Sequence, residues 1–216
     1  MSPRSYQLGR REPAVHETRG RILAAAREIL GRPTGLTRFT VDQVALRAGV
    51  ARATVYYQFK NKAGLVEALF DDLAARGGLR GLPEAFAKPD PGAALDEFIA
   101  IFVRFWSSDR LVIRRLRALA ALEPELEPVA RDAWRREGLE VILGRLGATS
   151  PDAVDSLQAL TAFETYDLLA TEDRERHQVA ALIQRQARSA LEALSASPSP
   201  GPRPRGAPGG RRARPG

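Results

Sequence analysis

Residues 49–64 read GVARATVYYQFKNKAG, and the fold turns on how this stretch is placed. Gly49 suits a tight turn because it takes positive φ without steric cost. A helix beginning near Ala51 or Arg52 then carries Thr54, Tyr56, Tyr57 and Gln58, with Lys60 and Lys62 just beyond. Adjacent residues on a helix point about 100° apart, so Tyr56 and Tyr57 cannot both enter one core. One of them faces outward among basic groups, as on a surface that meets a polyanion. The competing reading is a helical hairpin inside a larger bundle, with the tyrosines packed inward and the basic residues solvated.

The residues just before favour the first reading. In FTVDQVALRAG, Thr40 followed by Gln43 fits a capping box, and Asp42 suits the positive end of a helix dipole. This helix ends at Gly49, leaving about three residues before the next one, the dimension of a helix-turn-helix. Ala45 permits a close helix crossing, and Val44, Val50 and Val55 supply apolar contacts. Upstream, ETRGRILAAAREIL places Ile22, Leu23, Ala26, Ile29 and Leu30 on one helical stripe, and GRPTGLTRF stops that helix.

Beyond residue 61 the apolar pattern keeps a helical period. It predicts helices over 61–76, 91–107, 109–122, 126–146, 151–170 and 175–194, punctuated by glycine and proline. No stretch alternates with period two. The expected fold is therefore all-α, with about nine helices: an N-terminal three-helix helix-turn-helix domain and a larger C-terminal helical domain. The expected boundaries are a disordered basic arm at 1–14, the helix-turn-helix domain at 15–62, the larger domain at 63–194 and a disordered tail at 195–216. That tail holds 6 Pro and 5 Gly in 22 residues, which leaves nothing to build a core.

The formal net charge is +7 over 216 residues, and its distribution matters more than its sum. Residues 1–70 carry 12 Lys and Arg against 5 Asp and Glu, residues 71–194 carry 16 against 21, and the last 22 carry 5 against 0. A basic head on an acidic body is the footprint of a nucleic-acid-contacting domain. The absence of cysteine excludes disulfides, thiolate metal sites and cysteine nucleophiles. No apolar run approaches the ~20 residues needed to cross a bilayer, and no secretory signal precedes the first helix, so a cytoplasmic location is expected. His16 and His177, the two histidines, lie in polar contexts, and no nucleophile elbow, phosphate loop or paired-histidine metal motif occurs. An enzyme, a cofactor and a metal are therefore not expected. An enzyme acting on a hydrophobic substrate in the larger domain, and a non-specific DNA-binding architectural protein, stand as alternatives.

FTVDQVALRAGVARATVYYQFKNKAGLVEAL resembles the DNA-binding signature of the TetR family of bacterial transcriptional regulators, and with the first helix the resemblance covers about 50 residues. It implies a homodimer that sets one recognition helix per subunit into the major groove of a palindromic operator in double-stranded DNA. It further implies that the N-terminal domain is a DNA-binding domain and the C-terminal one a helical ligand-binding and dimerisation domain, with repression relieved by a small hydrophobic or amphipathic effector bound there. On this pattern Arg52 and Ala53 face base edges, where arginine reaches guanine O6 and N7 and the alanine methyl meets a thymine methyl. Thr54, Tyr56, Tyr57 and Lys62 match positions that hold phosphates or flank bases, and Thr40 caps its helix beside a phosphate. Gln58 stands where the family commonly has histidine or tyrosine, and Ala51 where serine often caps the recognition helix.

In the body, EFIAIFVRFWSSD is apolar round most of its circumference and should be surrounded by other helices. Phe102 and Trp106 from this helix, with Trp134 and Tyr166, are candidate walls of an aromatic ligand cavity. Glu164 projects between Leu157, Leu160 and Leu168 if 151–170 is one helix. A carboxylate there needs a partner, and Arg104 and Arg117 are the candidates. Glu164 is expected in the cavity or at the dimer seam. The last two helices are similar in position to the pair through which family members dimerise, and Val179, Leu182, Ile183, Gln186, Ala190 and Leu194 form a stripe suited to helix packing.

Overall fold

The computed structural model describes residues 11–34, 39–126 and 129–196. The expected basic arm as far as residue 10 and the tail from 197 lie outside them. All regular structure among the described residues is helical. The first helix, α1 (Arg11–Gly31), begins inside what the sequence suggested as the arm. It lies across α2 (Val41–Ala48) and α4 (Lys62–Arg76), while α3 (Arg52–Phe59) packs on α2 and α4. Ile22, Ala26 and Leu30 of α1 bury against Val44, Val55, Phe59 and Leu65 to form the core of this small head.

α4 runs out of the head into the body. Its C-terminal turn at Gly77 meets α6 (Pro91–Ser108) closely enough that a Cβ there would lie 2.5 Å from Phe105 Cδ2. A short α5 (Leu82–Ala87), not expected from the sequence, fills the connection after a single 3₁₀ turn. α6 is the buried axis of the body, touching α4, α5, α8 (Val129–Arg145), α10 (Phe163–Leu169) and α11 (Arg176–Ala196). Asp90 starts it by accepting from the Ala93 backbone amide at 2.8 Å. Its apolar residues bury on several sides, as the circumferential pattern required. α7 (Arg110–Leu122) returns toward the head.

One expected helix is two. The stretch 151–170 divides into α9 (Pro151–Leu160) and α10, broken at Thr161 and Ala162. Helix ends leave carbonyls without partners, and here two distant side chains take them. Trp106 Nε1 donates to the Thr161 carbonyl at 3.0 Å, and Arg135 Nη1 donates to the Gln158 carbonyl at 2.6 Å and to Thr161 Oγ1 at 2.9 Å. Two local hydroxyls share the task, Thr161 Oγ1 donating to the Leu157 carbonyl at 2.8 Å and Thr165 Oγ1 to the Ala159 carbonyl at 2.6 Å.

Candidate nucleic-acid interface and ligand cleft

The turn between α2 and α3 is built as its residues demand. Thr40 Oγ1 accepts from the Gln43 amide at 3.2 Å, and Gly49 takes φ 65° and ψ 41° while its amide closes the C-terminus of α2. Ala51 offers no side-chain cap to α3. Two arginines of α1 brace the motif from behind. Arg21 Nη2 donates to the Ala48 carbonyl at 2.7 Å and to the Gly49 carbonyl at 3.2 Å. Arg19 Nη1 donates to the Gln58 carbonyl at 3.2 Å, and its guanidinium lies 4.5 Å from the Phe59 ring centroid. Both meet carbonyl-rich helix ends, where a cation is favoured. Their acceptors lie 27 to 39 residues away in the chain.

Val55 and Phe59 point into the core, and the opposite side of α3 is open. Tyr57 is 82% exposed and Tyr56 38%, so neither is buried in a hairpin core. Arg52 is exposed, with Nη1 3.2 Å from Asp42 Oδ2 and Nη2 donating to Tyr56 Oη at 3.1 Å. The hydrogen bond with Tyr56 and then the charge of Asp42 raise the pKa of its guanidinium, which stays charged. Ala53 is exposed, and Thr54 and Gln58 are half-buried. Lys60 has φ 67° and ψ −52°, and the Asn61 amide donates to the Phe59 carbonyl at 2.8 Å across it, closing a γ-turn. Asn61 then caps α4 by accepting from the Gly64 amide at 2.8 Å. Lys62 is half-buried and sits with Nζ 2.6 and 2.8 Å from the two carboxylate oxygens of Glu123.

In the body, Phe102, Trp106 and Trp134 line one cleft together with Phe70, Phe105 and Arg117. Phe102 stacks 4.8 Å from Phe98, and Trp106 lies 4.5 Å from Phe105, centroid to centroid. Trp134 is 54% exposed and forms the rim, while its neighbour Arg135 is buried. The sequence missed Arg135, which stands in the charged run RDAWRREG and would be read as solvated on polarity alone. Asp71 also borders this cleft. Phe102, Trp134 and Arg135 continue into a second depression beside Phe86, Phe98 and Gly138.

Glu164 and Tyr166 are not among the residues lining either depression. The break at Thr161 removes Glu164 from the stripe that Leu157 begins and sets it on an open groove between α7 and α10, bonded to Arg117 Nε at 2.6 Å. Leu168, expected in that stripe, is 80% exposed. Tyr166 is buried against Phe163, and desolvation raises the pKa of its hydroxyl, with Arg110 opposing.

The family model described as bacterial regulatory proteins, tetR family, matches residues 22–69 of the head, from the middle of α1 through α3 into α4. Over its helix-turn-helix, the chain matches the tetR family. The HTH-type transcriptional regulator TtgR of Pseudomonas putida is 41% identical over 64 residues, which span 30% of this chain and 30% of that regulator. The aligned segment thus covers less than a third of its curated relative. Among solved structures, a transcriptional regulator from Rhodococcus sp. Rha1 superposes with a TM-score of 0.62 at 22% identity, covering 81% of this chain and 96% of that one. The multidrug binding protein EbrR complexed with imidazole superposes with a TM-score of 0.57 at 24% identity, covering 86% and 97%. At these identities the likeness speaks for the shared helical fold alone, over the body as well as the head.

Proposed function

We propose that this chain is a tetR-family, cytoplasmic DNA-binding transcriptional regulator, a homodimer that represses from a palindromic operator and is released by a small hydrophobic or amphipathic effector. The observation that carries the reading is the open face of α3, where Arg52, Tyr56 and Tyr57 stand uncovered within a matched family segment. Arg52, Ala53 and Gln58 read base edges; Thr40, Thr54, Tyr56, Tyr57 and Lys62 hold phosphates or flank bases. Dimerisation through the last helices is favoured by apolar groups left uncovered there: Leu168 is exposed, and Leu182, Ala190, Leu191 and Leu194 are only half-buried. Two heads one helical turn apart, about 34–36 Å, read two half-sites.

Phe102, Trp106 and Trp134 receive the effector in the cleft, whose aromatic walls and few charged groups suit an amphipathic molecule. The likeness to a multidrug binding protein points the same way. Selection from a random duplex pool tests the function, and the expected product is a palindrome whose two halves lie one turn apart. Binding of all duplexes alike, with a steep salt dependence, would replace the regulator by a non-specific DNA-binding protein. Native mass spectrometry of the purified dimer tests for a co-purified effector.

A further inference from the structure

The cation–carboxylate pairs around the head differ in burial. Arg52 and Asp42 are each more than half exposed, and a pair of that kind exchanges partners at little cost. Lys62 and Glu123 are different: their side chains are 28% and 32% exposed, and the ammonium faces both carboxylate oxygens. The Phe39 ring lies 5.9 Å from Nζ and helps to shelter it. A phosphodiester also offers an ammonium two anionic oxygens, so a DNA backbone and Glu123 ask for the same group.

Glu123 belongs to the body. Its amide closes the C-terminus of α7 on the Leu119 carbonyl at 2.9 Å, and the following 3₁₀ turn (Pro124–Leu126) buries Leu126 and packs on α4. Upstream of that end α7 is tied to the head: Arg27 pairs with Asp109 at its start, and Arg115 in its middle donates to the carbonyls of Leu30 and Arg32 at the end of α1. Between these ends, Arg117 borders the aromatic cleft. α7 therefore touches the cleft with its middle and Lys62 with its end.

We propose that Glu123 is an internal stand-in for a DNA phosphate, occupying Lys62 in the DNA-free protein and lowering its affinity for duplex. DNA binding requires Lys62 to leave Glu123 for the backbone, and a displacement of α7 at the cleft changes how readily it does so. This rests on the DNA-binding reading above. The contact is independent of base sequence, so a mixed-sequence duplex long enough for two heads serves as the probe.

The experiment measures duplex affinity by fluorescence anisotropy over a salt series for the unaltered protein, Glu123→Gln, Lys62→Ala and the double variant, each checked for folding by thermal melting. Glu123→Gln keeps the shape of the side chain, and Glu123→Ala repeats the cycle with the acceptor removed. Glu123→Gln is expected to tighten binding about 3- to 10-fold. In the Lys62→Ala background the same change should alter affinity less than about 2-fold, because the competitor then has nothing to hold. An equal gain with and without Lys62 would show that Glu123 acts only through its charge on the DNA field, and would overturn the proposal. Duplex binding by the unaltered protein with no response to Glu123→Gln would overturn this proposal alone. No binding of any duplex at low salt would overturn the DNA-binding reading as well.

Discussion

Gly77→Ala sets two effects of opposite sign against each other at the junction of head and body. Gly77 takes φ −74° and ψ −3°, which alanine adopts freely. Replacing glycine there reduces the freedom of the unfolded chain, a gain of about 0.4–1 kcal/mol. The added Cβ, however, would stand 2.5 Å from Phe105 Cδ2, 3.0 Å from Phe105 Cα and 3.0 Å from Ser108 Oγ. Carbon atoms pack at about 3.5–4.0 Å, so the overlap is ~1 Å with the ring and ~0.5 Å with the backbone of α6. The ring is itself fixed, 5.6 Å from Phe70 and 4.5 Å from Trp106, and cannot simply swing away. Overpacking of this kind costs about 1–3 kcal/mol. The clash wins, and the net loss should be ~1–2 kcal/mol, a fall in melting temperature of roughly 2–8 °C for a chain of this size. Gly20→Ala is the control, since a Cβ there meets nothing within 4 Å; it should gain about 0.5–1 kcal/mol from helix propensity. Both are read by calorimetry or denaturant melts at fixed protein concentration. If Gly77→Ala is as stable as Gly20→Ala, then α4 and α6 do not approach as described and the reasoning fails.

Other outcomes follow from the head and from α10. Arg52→Ala should leave the melting temperature unchanged, because the side chain is exposed, while weakening cognate DNA binding roughly tenfold and relaxing preference at one base pair in a binding selection. Ala51→Ser should raise stability by about 0.5–1 kcal/mol in a denaturant melt, because the N-cap of α3 has extended backbone geometry and no side-chain acceptor. Asp167 is pushed up by burial, but hydrogen bonds from Arg114 and Arg110 outweigh this and hold its carboxyl below the usual value. A depressed folded pKa means that the contribution is complete above the unfolded value, near 3.9, and is lost as pH falls through the folded one. The stability difference between the unaltered protein and Asp167→Asn should therefore be constant at neutral pH and shrink below about pH 4 in pH-dependent melts.

Much of the head was legible in the chain because its determinants are local. The αL position of Gly49, the Thr40 cap and the burial of Val55 and Phe59 beneath an open Tyr57 each depend on residues within a turn or two. The central burial of α6 was legible for a related reason, since a helix apolar round most of its circumference has little face to give to water. Those features set the helical class and the two-part organisation before any coordinates.

What the folded chain alone decided involves groups brought together across dozens of residues. Arg19 and Arg21 became braces for α2 and α3, Arg135 was drawn inside, and the helix expected over 151–170 broke where Trp106 and Arg135 could take its carbonyls. Glu164 moved out to Arg117, and Lys62 closed on Glu123, 61 residues away. Helical periodicity reports which side of a segment is apolar, whereas the partner of a charged side chain depends on which helix end or carboxylate the tertiary packing brings within about 3 Å of it.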